Sequence, residues 1–92
     1  YSLARALAPD VRVNAVCPGY VDTPWFVKQF GAETAEKIAE AEGKRALLQR
    51  TADGAEIAKT VLFFAGPESR NITGETLLSD SGLHLSMAGA RR

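Results

Sequence analysis

Sulfur is scarce in this 92-residue sequence, and charge of either sign is not in excess. A single cysteine, Cys17, excludes an internal disulfide framework and fits a reducing compartment. Eleven basic side chains balance eleven acidic ones, so no electrostatic footprint points to nucleic acid or an anionic membrane surface. No apolar run reaches the roughly 18 residues that would span a bilayer, and no basic start leads into an apolar signal core. The one histidine, His84, has no second ligand type at metal spacing and reads as an ordinary tail residue, so no metal site is expected. These absences leave a cytoplasmic protein whose partner is a small molecule or another protein. The chain also opens on Tyr1-Ser2-Leu3, already in a helical pattern, as though within an element of a longer protein.

What is present has a clear order. Ser2 to Ala8 is rich in helix formers and is stopped by Pro9 and Asp10. Val11 to Val16 follows as a short β-branched run bounded by Pro-Asp and Pro-Gly, which predicts a strand. Thr23-Pro24 reads as an N-cap with proline at the first helical position, opening an aromatic segment of Trp25, Phe26 and Phe30 that ends at Gly31. Glu33 to Glu42 is a charged helix with a thin apolar stripe, a candidate lid, and Lys44 to Arg50 is a basic connection. At Asp53 an acidic cap precedes Glu56 at the spacing of a capping box. Ile57, Ala58, Val61, Leu62 and Ala65 then mark the clearest amphipathic helix, closed by Gly66-Pro67. Thr73-Gly74 is a turn, Glu75 to Ser79 a second strand, and Met87 to Arg92 a fraying tail. A strand, a helical crossover and a second strand predict a parallel pair. Two strands are thin for a parallel sheet covered on both faces, so the chain reads as part of a larger domain.

The segment RVNAVCPGYVDTPW, joined to EIAKTVLFFAGPESRNITGETLLSDSG, resembles the short-chain dehydrogenase/reductase family. The resemblance rests on Arg12, Val13, Asn14, Pro18, Gly19, Val21 and Thr23 in the first stretch. In the second it rests on Glu56, Ile57 and Ala58, then Ile72, Thr73 and Gly74, then Asp80 and Gly82. It implies an α/β fold, a Rossmann-like doubly wound parallel sheet, of which residues 1–92 supply the C-terminal part: the last two strands plus helices of one NAD(P)-binding domain. It also implies a cofactor, NAD or NADP, and a small-molecule carbonyl or secondary alcohol substrate. The motif style is similar to that of β-ketoacyl carrier-protein reductases. Assembly as a homo-oligomer, a dimer or a homotetramer, is implied as well, because the family's final strand packs across a subunit interface. The family's glycine-rich phosphate loop, catalytic Ser and Tyr-x-x-x-Lys pair precede the matched region and are not in this sequence, so no catalytic residue is assigned. Tyr1 and Arg5 have the spacing of that pair but lie too close to Pro18, and arginine does not imitate lysine in geometry or basicity.

By the same resemblance, Pro18, Gly19, Tyr20, Val21 and Thr23 are the cofactor-binding residues. The main chain of Val21 pairs with the carboxamide, the Thr23 hydroxyl bonds the carboxamide or a phosphate oxygen, and Pro18-Gly19 turns the backbone without blocking the ring. Thr23 is expected to cap as well. Trp25, Phe26 and Phe30 are either core packing or the wall of a substrate pocket, the latter implying an apolar substrate portion. Asn14 reads as a buried amide that ties loops together, and Cys17 as a small buried side chain. Departures from the family pattern fall at Gly54-Ala55, where Pro-Glu is usual, at Ser79, and at Asp80-Ser81-Gly82, which breaks a double glycine. A different class of function stays open: a non-catalytic binding or assembly module.

Overall fold

The computed structural model describes residues 1–87, and the expected fraying tail beyond Met87 lies outside them. Helix α1, Ser2–Leu7, ends where Ala8 turns extended ahead of Pro9. Its buried Ala4 rests on the turn at Gly74, where a Cβ would lie 3.7 Å from the Ala4 methyl.

Strand β1, Ala15–Pro18, pairs with β4, Thr76–Ser79, in parallel, with Ala15 opposite Thr76 and Pro18 opposite Ser79. The adjacent parallel pair expected from the sequence is therefore present, but β1 starts four residues later than the predicted Val11. The cause lies in the partner. Before Thr76 the chain bends at Gly74, with φ at +79°, so Val13 and Asn14 face a turn rather than a strand. They bond to it differently. The Val13 N–H donates to Thr73 Oγ1 at 3.0 Å and its carbonyl accepts from the Gly74 N–H at 2.8 Å. The Asn14 amide donates to the Ile72 carbonyl at 3.1 Å and accepts from the Glu75 N–H at 3.0 Å. Asn14 is thus the loop-tying amide read from the sequence, holding backbone groups that no ladder reaches.

Between the strands the chain forms β2, Val21–Asp22; α2, Pro24–Phe30; α3, Ala32–Arg45; β3, Ala52–Asp53; and α4, Gly54–Ala65. A 3-10 turn at Pro67–Ser69 leads to β4, and α5, Leu83–Met87, follows it. The capping box opens α4 as predicted: the Glu56 N–H donates to Asp53 Oδ1 at 2.9 Å and the Asp53 N–H to Glu56 Oε1 at 3.1 Å. Val21 pairs with Ala52 and Asp22 with Asp53 in a second, two-residue parallel ladder that no periodicity announces.

Arg12, read from sequence only as part of the motif, is the hub of the crossover's far end. Its guanidinium donates to the carbonyls of Phe64 at 3.0 Å, Gly66 at 3.3 Å, Ser69 at 2.8 Å and Ile72 at 3.2 Å. A cation at the carbonyl end of α4 also meets the negative pole of that helix. Ser69 is fully buried, accepts from Arg12 at 3.0 Å and donates to the Phe64 carbonyl at 2.9 Å.

The apolar stripe of α4 does not bury itself as an amphipathic helix should. Leu62 is 67% exposed, and Val61, Leu77 and Leu78 are also open to solvent. The radius of gyration is 16.1 Å, against about 12 Å for a compact domain of this length.

Candidate functional site

The site grows from the carboxyl end of β1. There the Gly19 N–H extends the ladder by donating to the Ser79 carbonyl at 3.1 Å. Gly19 is required by space rather than by backbone angle: a Cβ there would lie 2.6 Å from the Cβ of Asp80 and 3.1 Å from its Cα. The turn therefore rests directly on Asp80. The Tyr20 ring packs inward against Phe26, centroids 4.8 Å apart, and its hydroxyl is enclosed without a hydrogen-bond partner. That hydroxyl borders a water-sized polar space of about 10 Å³ with Glu42, Arg50, Ser79, Asp80 and Ser81. Loss of hydration, and then the nearby Asp22 and Glu42 carboxylates, push the phenol above its ordinary pKa, so it stays protonated.

Val21 and Asp22 then bond to β3. Successive strand residues send their amide groups to opposite edges, so a two-residue ladder leaves one residue's N–H and C=O pointing away from β3. Thr23 stands at the N-cap with extended angles (φ −131°, ψ 161°), and Pro24 occupies the first turn. The expectation that the Thr23 side chain caps the helix is corrected: its hydroxyl makes no capping hydrogen bond, and the backbone alone closes the turn, Phe26 N–H to Thr23 carbonyl at 3.3 Å. Asp22, Thr23, Pro24, Val27 and Lys28 border an open hollow of about 490 Å³.

The aromatic residues do gather. Trp25 meets Phe26 edge-on at 4.9 Å and Phe30 at 5.9 Å. They divide by role, however. Phe26 is half-buried under Tyr20, while Trp25 and Phe30 remain 54% and 51% exposed, an apolar surface beside the Pro18–Thr23 turn. Gly31, at φ +85°, joins α2 to α3, a backbone angle other residues adopt only with strain. Cys17, expected to be buried, lies only half-buried in β1 opposite Leu78, because β1 has one strand neighbour among the described residues.

His84 is not the ordinary tail residue its position suggested. Its Nδ1 lies 3.0 Å from both carboxylate oxygens of Asp80. Asp80 also accepts from the backbone N–H groups of Gly82 and His84, each at 3.0 Å. Burial alone would raise the Asp80 pKa, but the His84 ring and these two amides outweigh it, and the carboxyl titrates below its usual range. An aspartate followed by a histidine four residues later is the signal that could have revealed the pair. Among the described residues no group of His, Cys, Asp and Glu side chains is arranged to hold a metal, and no helix is long and apolar enough to cross a membrane.

Comparison with known proteins gives this geometry a context. A family profile described as enoyl-(acyl carrier protein) reductase matches residues 1–84. The chain is 37% identical over 82 residues to the short-chain dehydrogenase/reductase SDRA of Arabidopsis thaliana, covering 89% of this chain and 31% of that protein. It is 38% identical over 74 residues to the 3-oxoacyl-[acyl-carrier-protein] reductase FabG of Thermotoga maritima, covering 80% and 28%. Among solved structures, a small-chain dehydrogenase in complex with NADPH superposes with a TM-score of 0.78 at 27% identity, over 91% of this chain and 36% of that one. The chain thus spans about a third of the length of the curated relatives it matches. With its parallel strand pair and its Pro-Gly turn in the matched region, the chain belongs to the short-chain dehydrogenase/reductase family of oxidoreductases, with a partial Rossmann-type α/β fold.

Proposed function

We propose that residues 1–92 are the C-terminal, nicotinamide-facing part of one NAD(P)-binding domain, in an oxidoreductase acting on a carbonyl or secondary alcohol. The observation that carries this reading is the turn at the carboxyl end of β1, where open α/β sheets bind their ligands. Gly19 offers no side chain, the Val21–Asp22 backbone keeps one outward pair of amide groups, and the Thr23 hydroxyl is not spent on its cap. That donor and acceptor set fits a nicotinamide carboxamide. When bound, the cofactor supplies or accepts the hydride. The share of this chain is orientation: Pro18 and Gly19 let the ring approach, Tyr20 braces the loop from beneath, and Val21 and Thr23 fix the carboxamide.

Trp25, Phe26 and Phe30 supply the apolar side of the substrate space, with α2 and α3 as its cover. An acyl chain or similar apolar portion suits them, in keeping with the likeness to a carrier-protein reductase. The uncovered Leu62, Val61 and Leu78 fit a chain that meets further strands and a second copy, as in a dimer or tetramer. A single half-buried cysteine fits a cytoplasmic setting.

Replacing Thr23 by Val in the intact protein tests the assignment. The Michaelis constant for the dinucleotide should rise about three- to tenfold, the cost of one hydrogen bond to a polar ligand group. Thermal stability should hardly change, because the hydroxyl makes no cap. An unchanged Michaelis constant removes Thr23 from the cofactor site.

A further inference from the structure

We propose that Asp80 and His84 are positioning residues for the Pro18–Thr23 loop: the pair braces the Asp80–Leu83 turn, and the loop is seated on that turn. The inference rests on reading the loop as the nicotinamide contact.

The seat has no slack. Gly19 lies so close to Asp80 that even a methyl group could not be inserted, and the Gly19 N–H bonds the carbonyl just before Asp80. Tyr20, whose hydroxyl is enclosed, lines the same small space as Ser79, Asp80 and Ser81. The position of Gly19 is therefore set by where Asp80 stands, and Val21 and Thr23 follow two and four residues later.

Asp80 in turn needs holding. Alpha-helix α5 is five residues long, too short to persist on its own. Gly82 at φ +83° and Ser81 at φ +56° place the turn in left-handed geometry, which Ser81 adopts only at some cost. Two of the bonds to the carboxylate come from backbone amides, and the third comes from the single His84 Nδ1 position, shared between both oxygens. An ionised carboxylate can only accept, so Nδ1 carries the proton and the bond is charge-assisted. The Asp80 side chain is 9% exposed, while that of His84 is 44% exposed. The ring can thus be replaced without opening the interior. The far side of the same turn is fixed to the end of α3: the Leu48 N–H donates to the Ser81 carbonyl at 3.0 Å, and Ser86 Oγ donates to the Arg45 carbonyl at 2.8 Å. The turn accordingly joins the loop to the base of the helix that covers the substrate side.

The test compares His84→Leu and His84→Asn in the intact protein; asparagine keeps a donor near the δ position and leucine does not. Amide hydrogen exchange over residues 19–23 is followed without cofactor, and affinities for NADH and NADPH and the turnover number are measured separately. With His84→Leu, exchange over residues 19–23 should accelerate and the dinucleotide dissociation constant rise about three- to tenfold, while turnover at saturating dinucleotide stays within about twofold. His84→Asn should recover most of both losses. A His84→Leu protein that melts earlier yet keeps unsubstituted exchange and affinity, or an asparagine variant no better than leucine, overturns the positioning role. Absence of dinucleotide binding by the unsubstituted protein overturns the nicotinamide reading, and the exchange comparison then upholds or overturns the brace on its own.

Discussion

Arg12 shows how much of the fold one side chain can organise. It donates to four carbonyls along the C-terminal end of α4 and the chain just beyond it, and its planar fork reaches them from two nitrogens. Lysine would keep the charge and lose the fork. Arg12→Lys should therefore destabilise the intact protein by about 2 kcal/mol in denaturant unfolding, within the range for hydrogen bonds to charged groups. A loss near zero would mean that water replaces the guanidinium without cost. Gly19 is the second such residue, for the opposite reason. Its missing side chain is what lets the loop lie on Asp80, and Gly19→Ala forces a backbone shift because the blocking atoms are Asp80 Cβ and Cα, not a flexible tip. Overpacking of this kind costs about 1–3 kcal/mol, so a lowered melting temperature with weakened dinucleotide binding is expected. Unaltered stability would show that the contact has room to give.

Among the elements, α4 is the one whose start the sequence states outright. Asp53 and Glu56 exchange hydrogen bonds as the capping box requires, and the Arg50 guanidinium meets Glu56 at 2.8 Å. Asp53→Ala should cost about 1 kcal/mol by unfolding, the usual value for a lost N-cap; no loss would show that the β2–β3 ladder alone fixes the helix start. Helix α3 is built differently. Two of its ion pairs, Lys37 to Glu33 and Lys44 to Glu40, are exposed and contribute little, a third joins Arg45 to Glu42 at 2.7 Å, and the helix is anchored by the burial of Ala35 and Gly43.

Elements with local signals were legible: caps and Pro or Gly stops gave α1, α2 and α4, and the short run between the Thr73-Gly74 turn and Asp80 gave β4, to within a residue or two. The start of β1 was not, because a run of valines cannot say where its partner stops being a strand. The β2–β3 ladder and α5 were invisible for a related reason. Two residues carry no period, and α5 is held by Asp80 and by contacts to Arg45 and Leu48 far away in the chain. Of the candidate site, the Pro18–Thr23 turn was legible as a motif. Its seat on Asp80 was not, since the contact joins residues 61 positions apart in sequence.

As a whole molecule, the chain is extended and carries its apolar stripe outward, and it covers about a third of its relatives. These facts agree with one another. A parallel sheet is buried on both faces in folds of this class, and two strands with one crossover leave the outer faces open. The described part is a strand pair fixed by Arg12 and Asn14 at one end and by the contact of Gly19 with Asp80 at the other. The most direct test is amide hydrogen exchange on the intact protein titrated with NADH and with NADPH. Saturable protection centred on residues 19–23 by at least one of the two is the expected result. Saturable binding that leaves those amides unprotected, or no binding of either dinucleotide, would contradict it.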